Sequence, residues 1–279
     1  MSFEQKYLKY KNKYLSLQQF GGSSGGGGDN WLAGGGDGWG AGGGAGGGRR
    51  RGGSDSDGEL FHFPKKLIIG IAGASGCGKS YLAEKNLQVM LKRRGVSTAV
   101  ISCDNYYKSF IVDGRPALAP PDHNWDEPNA IDLDLFSSHL DNFRRNIPIN
   151  VPKYNFESNQ REGTKEIIDS SQFQVLIVEG LYVLYRADIR AKIDLKLFSE
   201  SDLEICLARR ISRDIEERGK KPSDTQNVLK NYEKFVRPSY QRYIEPNKKF
   251  ADLIVNTDID YSTTKTLDII VQHVLLSIK

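Results

Sequence analysis

Gly73-Ala74-Ser75-Gly76-Cys77-Gly78-Lys79-Ser80, written GASGCGKS, is the stretch whose residue types and spacing most plainly do chemistry. It fits G-x-x-x-x-G-K-[ST], the pattern that cradles the phosphates of a nucleoside triphosphate. Gly73, Gly76 and Gly78 let the backbone take φ values closed to other residues, so that N–H groups come close to phosphate oxygens. Lys79 supplies a point charge for the β- and γ-phosphates, and the Ser80 hydroxyl is placed to ligate Mg²⁺. Such a loop needs a strand before it and a helix after it. Residues 67–71, LIIGI, read as a buried parallel strand, and residues 81–91 carry a helical pattern. That helix would point its positive N-terminal end at the same anion.

Two acidic positions fall at the ends of further apolar runs. Residues 99–102 lead into Cys103-Asp104-Asn105-Tyr106-Tyr107, which puts Asp104 at the carboxyl end of a strand. There it is either a catalytic carboxylate facing the phosphate or a helix N-cap or turn residue. The run 174–178 ends at Glu179-Gly180, where a carboxylate can hold the water shell of Mg²⁺. V-E-G is neither the D-x-x-G of a GTPase switch nor the apolar run followed by Asp-Glu of an ATP-driven motor. Cys77 is either an oxidisable thiol or a small residue filling a place between two glycines. Residues 124–132, NWDEPNAID, form a turn-rich stretch that opens a helix. Residues 152–156, PKYNF, offer aromatic rings in an extended segment, a wall for a flat base or sugar. Arg210, Arg213 and, one turn on, Glu217 or Arg218 share a helical face. That face is either a solvated charge run or a lid over the γ-phosphate.

These groups must be carried by a folded body. A chain of 279 residues, 38% hydrophobic with a formal net charge of +4, fits one globular domain plus an appendage. The basic balance is mild and spread along the chain, so a nucleic-acid partner is not expected. Cys77, Cys103 and Cys206 lie far apart without a C-x-x-C pair, which argues against disulfide scaffolding and a cysteine zinc site. No stretch reaches the ~18 consecutive apolar residues that span a bilayer. The N-terminus is rich in lysine (Lys6, Lys9, Lys11, Lys13) but lacks the apolar core of a secretory signal, so a cytoplasmic protein is expected. Phe3, Tyr7, Tyr10, Tyr14 and Leu17 give residues 1–20 the seam of a short amphipathic helix, one that could dock a partner, a membrane surface or the body itself. Residues 21–60 are glycine-dominated and read as a flexible tether. Over 61–279, runs at 67–71, 98–102, 175–178, 195–198 and 253–255 alternate with amphipathic stretches at 133–145, 203–218 and 263–278. The alternation predicts an α/β domain, three layers deep in the manner of P-loop NTPases, with a mainly parallel sheet between helices. Ligands on such sheets bind beyond the carboxyl ends of the strands.

From about residue 67 to 278 the chain resembles the uridine kinase family of phosphate-loop kinases, within the phosphoribulokinase/uridine kinase superfamily. The segments that carry the resemblance occur in family order: GASGCGKS, SCDNYY, NWDEPNAID, VPKYNF, VEGLYVLY, LARRISRDIEERGK and FVRPSYQRYIEPNKKFADLIV. The resemblance implies transfer of the γ-phosphate of ATP, with Mg²⁺, to the 5′-hydroxyl of uridine or cytidine, and a homo-oligomer, a tetramer as in the family. It implies that Asp104 is the general base on the 5′-hydroxyl and lies near the metal, whose shell includes Ser80 and Glu179. It implies that Asp126 holds the ribose hydroxyls with Arg210 as a second contact, and that Lys79, Arg213 and Arg218 face the phosphates. Tyr107 and Tyr154 match pocket aromatics, Tyr154 near the base. Three base-facing positions depart from the family: Asn159 stands for His, Lys220 for Arg and Asn231 for Gln, with extra residues near 221–225. All three still hydrogen-bond, but with changed reach, which leaves base preference open. Two other readings stand beside this one: a related kinase for nicotinamide riboside or a sugar phosphate, and a nucleotide-binding structural or packaging protein delivered by its leader. The leader resembles short Lys/Tyr-rich leaders on proteins of giant DNA viruses, which would make the location a host cytoplasm or a virion.

Overall fold

A computed structural model describes residues 66–120, 123–216, 218, 220–258 and 265–279. The leader helix of 1–20, the tether of 21–60 and the domain start at 61 lie outside the described residues. In chain order the strands are β1 (Leu67–Gly73), β2 (Thr98–Ser102), β3 (Ile111–Val112), β4 (Arg115–Pro116), β5 (Ile149–Asn155), β6 (Gln160–Ile168), β7 (Val175–Glu179), β8 (Leu195–Glu200) and β9 (Leu253–Asn256). Five of them form one sheet in the order β2-β7-β1-β8-β9, with every pairing parallel. All five runs expected from the sequence are there, each as one of these strands.

β1 is buried along its whole length because side chains leave it to both faces. Leu67, Ile69 and Ile71 pack with Leu82, Leu87, Leu91, Val271 and Val274 on one side. Ile68 and Ala72 pack with Ile101, Phe136, Leu140 and Phe143 on the other. Helices therefore cover both faces, as a parallel sheet requires. One side carries the helical run that follows the phosphate loop, π-helical over Tyr81–Leu87 and α-helical over Gln88–Arg93, together with the helix Lys265–Ser277. The other carries the helix Leu133–Arg144, whose N-cap Asp132 accepts from the Leu135 N–H (3.1 Å).

The parallel register brings strand ends to one edge: Gly73 lies beside Ser199, and Ser102 beside Glu179. Beside the sheet stand two antiparallel hairpins, β3–β4 and β5–β6. Pro152 falls at a register shift in the second, where its missing N–H costs no ladder bond. Arg161 ties this hairpin down, donating to the Tyr106 carbonyl (2.9 Å) and to Asp132 (3.2 Å). No described helix is long and apolar enough to cross a membrane.

Candidate active site

The phosphate loop leaves β1 at Gly73 and enters the helical run at Tyr81. Gly76 and Gly78 have φ of +83° and +85°, a region that residues with a Cβ enter only under strain. A Cβ at Gly76 would stand 2.2 Å from the Cys206 carbonyl oxygen, so the loop lies against the helix Leu203–Glu216 with no room for a side chain. Two hydroxyls pin the loop from beneath: Ser199 Oγ and Thr257 Oγ1 both donate to the Cys77 carbonyl, at 2.9 and 2.6 Å. Cys77 is fully buried against Ala74 and Cys206, so of its two readings the structure realises the space-filling one. Burial pushes the Cys206 thiol up to about 12, and both cysteines are free. Lys79 donates to the Ala74 carbonyl (2.8 Å), and the Ser80 hydroxyl donates to Glu179 Oε1 (3.1 Å).

At the end of β2 the capping question resolves. Ser102, not Asp104, caps the 3₁₀ turn Cys103–Tyr106, its hydroxyl accepting from the Asp104 N–H (3.3 Å). The Asp104 carboxylate is thereby left to meet Arg218, 3.5 Å away. Glu179 is 4% exposed, and burial raises its proton affinity above the ordinary carboxylate range against the pull of Lys79. Ser80 and Glu179 are hard oxygen donors side by side, which suits Mg²⁺, an ion that keeps several waters and takes one or two carboxylates plus phosphate oxygens. Among the described residues no group of three or more His, Cys, Asp or Glu side chains is placed to hold a metal. A site completed by phosphate and water needs none.

A cavity of about 300 Å³ opens beside these groups. Six of the seven substrate-binding candidates line it: Tyr107, Asp126, Tyr154, Asn159, Lys220 and Asn231. Tyr107 and Tyr154 face each other at 5.2 Å between ring centroids. Asp126 is 7% exposed, and burial raises its proton affinity above the ordinary range, with Arg210 opposing. The seventh candidate, Arg210, stands behind the cavity, 4.0 Å from Asp126 through the same Nη1 that donates to Ser75 Oγ (2.7 Å). One guanidinium thus joins the phosphate loop to the pocket acid. Asn159 sits at φ +55°, a left-handed position that Asn occupies more readily than most residues.

The helix carrying Arg210 and Arg213 is Leu203–Glu216, shorter than the expected 203–218. The Lys220 N–H donates to the Asp214 carbonyl (3.1 Å) and closes its end, so Arg218 lies beyond the helix. Arg218 still reaches the site: it stacks on the Phe156 ring at 4.0 Å and lines the cavity. Arg213 donates to Asp214 at 3.1 Å. Sequence reasoning had no place for His123, Trp125 and Asp214 as lining residues, whereas Phe156 belongs to the aromatic segment 152–156 expected as a wall. The signal for Asp214 was present in its i,i+4 spacing from Arg210 and to Arg218.

A family model described as the phosphoribulokinase / uridine kinase family matches residues 68–264. The chain belongs to that family. Within it, a uridine kinase of Saccharomyces cerevisiae is 35% identical over 74% of this chain and 40% of its own length. Uridine-cytidine kinase B of Dictyostelium discoideum is 32% identical over 76% of this chain and 83% of its own. A uridine kinase of Aeromonas hydrophila is 36% identical over 68% and 86%. The chain therefore spans well under half of the yeast relative and most of the other two. Among solved structures, phosphoribulokinase from Rhodobacter spheroides has a TM-score of 0.51 at 17% identity, covering 69% of this chain and 70% of its own. D-glycerate 3-kinase from Cryptococcus neoformans gives the same score and identity, covering 71% and 88%. These two bear on the fold alone: a phosphate-loop kinase fold with a parallel central sheet.

Proposed function

We propose that the chain is an ATP-dependent nucleoside kinase that transfers the γ-phosphate to the 5′-hydroxyl of uridine, cytidine or both. The observation that carries the reading is the position of Asp104: it follows the end of β2, where Ser102 pairs with Glu179, and it stands 3.5 Å from Arg218, which lines the cavity together with Asp126. A base between a triphosphate site and an alcohol site is what phosphoryl transfer needs. Asp126 with Arg210 holds the ribose hydroxyls, and Tyr107 and Tyr154 flank the sugar and base. Asp104 accepts the 5′-hydroxyl proton. The GASGCGKS backbone and Lys79 hold the β- and γ-phosphates, while Arg213 and Arg218 balance charge on the transferring group. Ser80 and Glu179 would hold Mg²⁺, which when bound would neutralise charge on the phosphate oxygens. On the same reading the protein works in the cytoplasm as a homo-oligomer, and light scattering of the purified chain tests the assembly. A panel of nucleosides with labelled ATP tests the activity, and absence of transfer to both uridine and cytidine refutes it.

One observation favours a second acceptor, nicotinamide riboside or a sugar phosphate. Lys220 and Asn231 also line a neighbouring cavity of about 270 Å³ with Asp224 and Asn227, so polar groups extend beyond the first cavity. Including nicotinamide riboside and sugar phosphates in the panel separates the two.

A further inference from the structure

Asp214 has no part in the roles assigned above. It is 2% exposed near the end of the arginine helix, and four cations converge on its two carboxylate oxygens. Arg213 is 3.1 Å and Arg218 3.9 Å from Oδ1, while Lys220 is 3.7 Å and Arg210 3.9 Å from Oδ2. Without a common anion these four would repel one another at close range in a site of low dielectric. Their far sides point to different parts of the site. Arg210 reaches Ser75 in the phosphate loop and Asp126, Arg218 reaches Asp104 and the Phe156 ring, and Lys220 lines the cavity.

We propose that Asp214 is the positioning residue of the phosphate-facing lid: one buried carboxylate that fixes the directions of Arg210, Arg213, Arg218 and Lys220. The four cations outnumber it, so the cluster keeps positive charge for the phosphates while remaining ordered. The inference rests on the kinase reading, and Asp214 acts through the cations rather than on the reacting atoms. Charge gives it a signature that a purely structural residue lacks. Neutralising Asp214 makes the surroundings of the triphosphate more positive, so MgATP binds no more weakly, while alignment and hence turnover suffer.

The test is Asp214→Asn in the full chain, measuring kcat, both KM values, the MgATP dissociation constant by calorimetry, and the melting temperature. The expected kcat is about 10²-fold lower, the usual consequence of a displacement of about 1 Å, with a MgATP dissociation constant equal to or below the parent's. Asp214→Glu, which keeps the charge, recovers part of the turnover. A parent-like kcat, or MgATP binding that weakens in step with kcat, overturns the proposal. Should Asp214→Asn fail to fold, Asp214→Glu is judged by the same rule: lowered kcat with MgATP affinity retained supports positioning, and any other result refutes it. A parent that phosphorylates no nucleoside refutes the kinase reading, whereas an active parent whose turnover Asp214→Asn matches refutes the Asp214 proposal alone.

Discussion

Replacing Gly76 by alanine tests how the phosphate loop and the arginine helix depend on each other. The residue holds φ +83°, and a methyl there would lie 2.2 Å from the Cys206 carbonyl oxygen and 3.3 Å from the Arg210 nitrogen. Ordinary contact begins at 3.4 Å, so loop and helix must separate by about 1.2 Å. The obstacle is helix backbone, which cannot swing aside as a side chain would. Left-handed strain costs roughly 1–2 kcal/mol, and overpacking adds about 1–3 kcal/mol. In a domain of this size the sum of about 2–5 kcal/mol lowers Tm by roughly 4–20 °C. Because the displaced helix carries Arg210 and Arg213, kcat/KM falls about 10²-fold. Gly95→Ala is the control: φ is +78° but nothing lies within 4 Å, so it suffers the strain alone. Differential scanning calorimetry and a coupled kinase assay on both variants provide the readouts. Turnover of Gly76→Ala matching that of Gly95→Ala would refute the contact argument.

Further outcomes follow from the site. Asp104→Asn lowers kcat by about 10²–10⁴, the usual worth of a positioned base; steady-state kinetics with turnover near the parent's would remove Asp104 from that role. Lys79→Ala weakens phosphate transfer while Tm holds, and a lowered Tm with unchanged activity would contradict this. Asp126 titrates above the ordinary carboxylate value because it is buried, so the folded state binds its proton more tightly than the unfolded state does. Its contribution to stability is full below the unfolded pKa and is lost as pH rises through the raised folded value. The Tm of Asp126→Asn relative to the parent should therefore rise across that window, and a difference that is flat or falls with pH would sink the assignment.

The parts legible in the sequence share a physical cause. A strand buried on both faces, like β1 or β7, writes itself as a continuous apolar run, and the GASGCGKS spacing is dictated by the anion that it serves. β6 was not legible: its residues Arg161 to Ile167 are mostly exposed, so no alternation marks them, and β5 gives it a register only through pairing. The two-residue strands β3 and β4 are too short to show a period. Trp125 was missed for another reason: it meets Tyr107 and Tyr154 across the chain, and no local pattern encodes that meeting. Asp104 stayed ambiguous because any carboxylate after a strand can cap; the Ser102 hydroxyl decides it, and a serine two residues earlier is no sequence signal by itself.

The acceptor atom is the most direct test of the central claim. Uridine, cytidine and 5′-deoxyuridine are each incubated with MgATP and the chain, and the products are read by phosphorus NMR. The account predicts phosphate on the 5′ carbon oxygen of uridine, cytidine or both, and none on 5′-deoxyuridine. Phosphate on a 2′ or 3′ oxygen, or turnover of the 5′-deoxy compound, would contradict it.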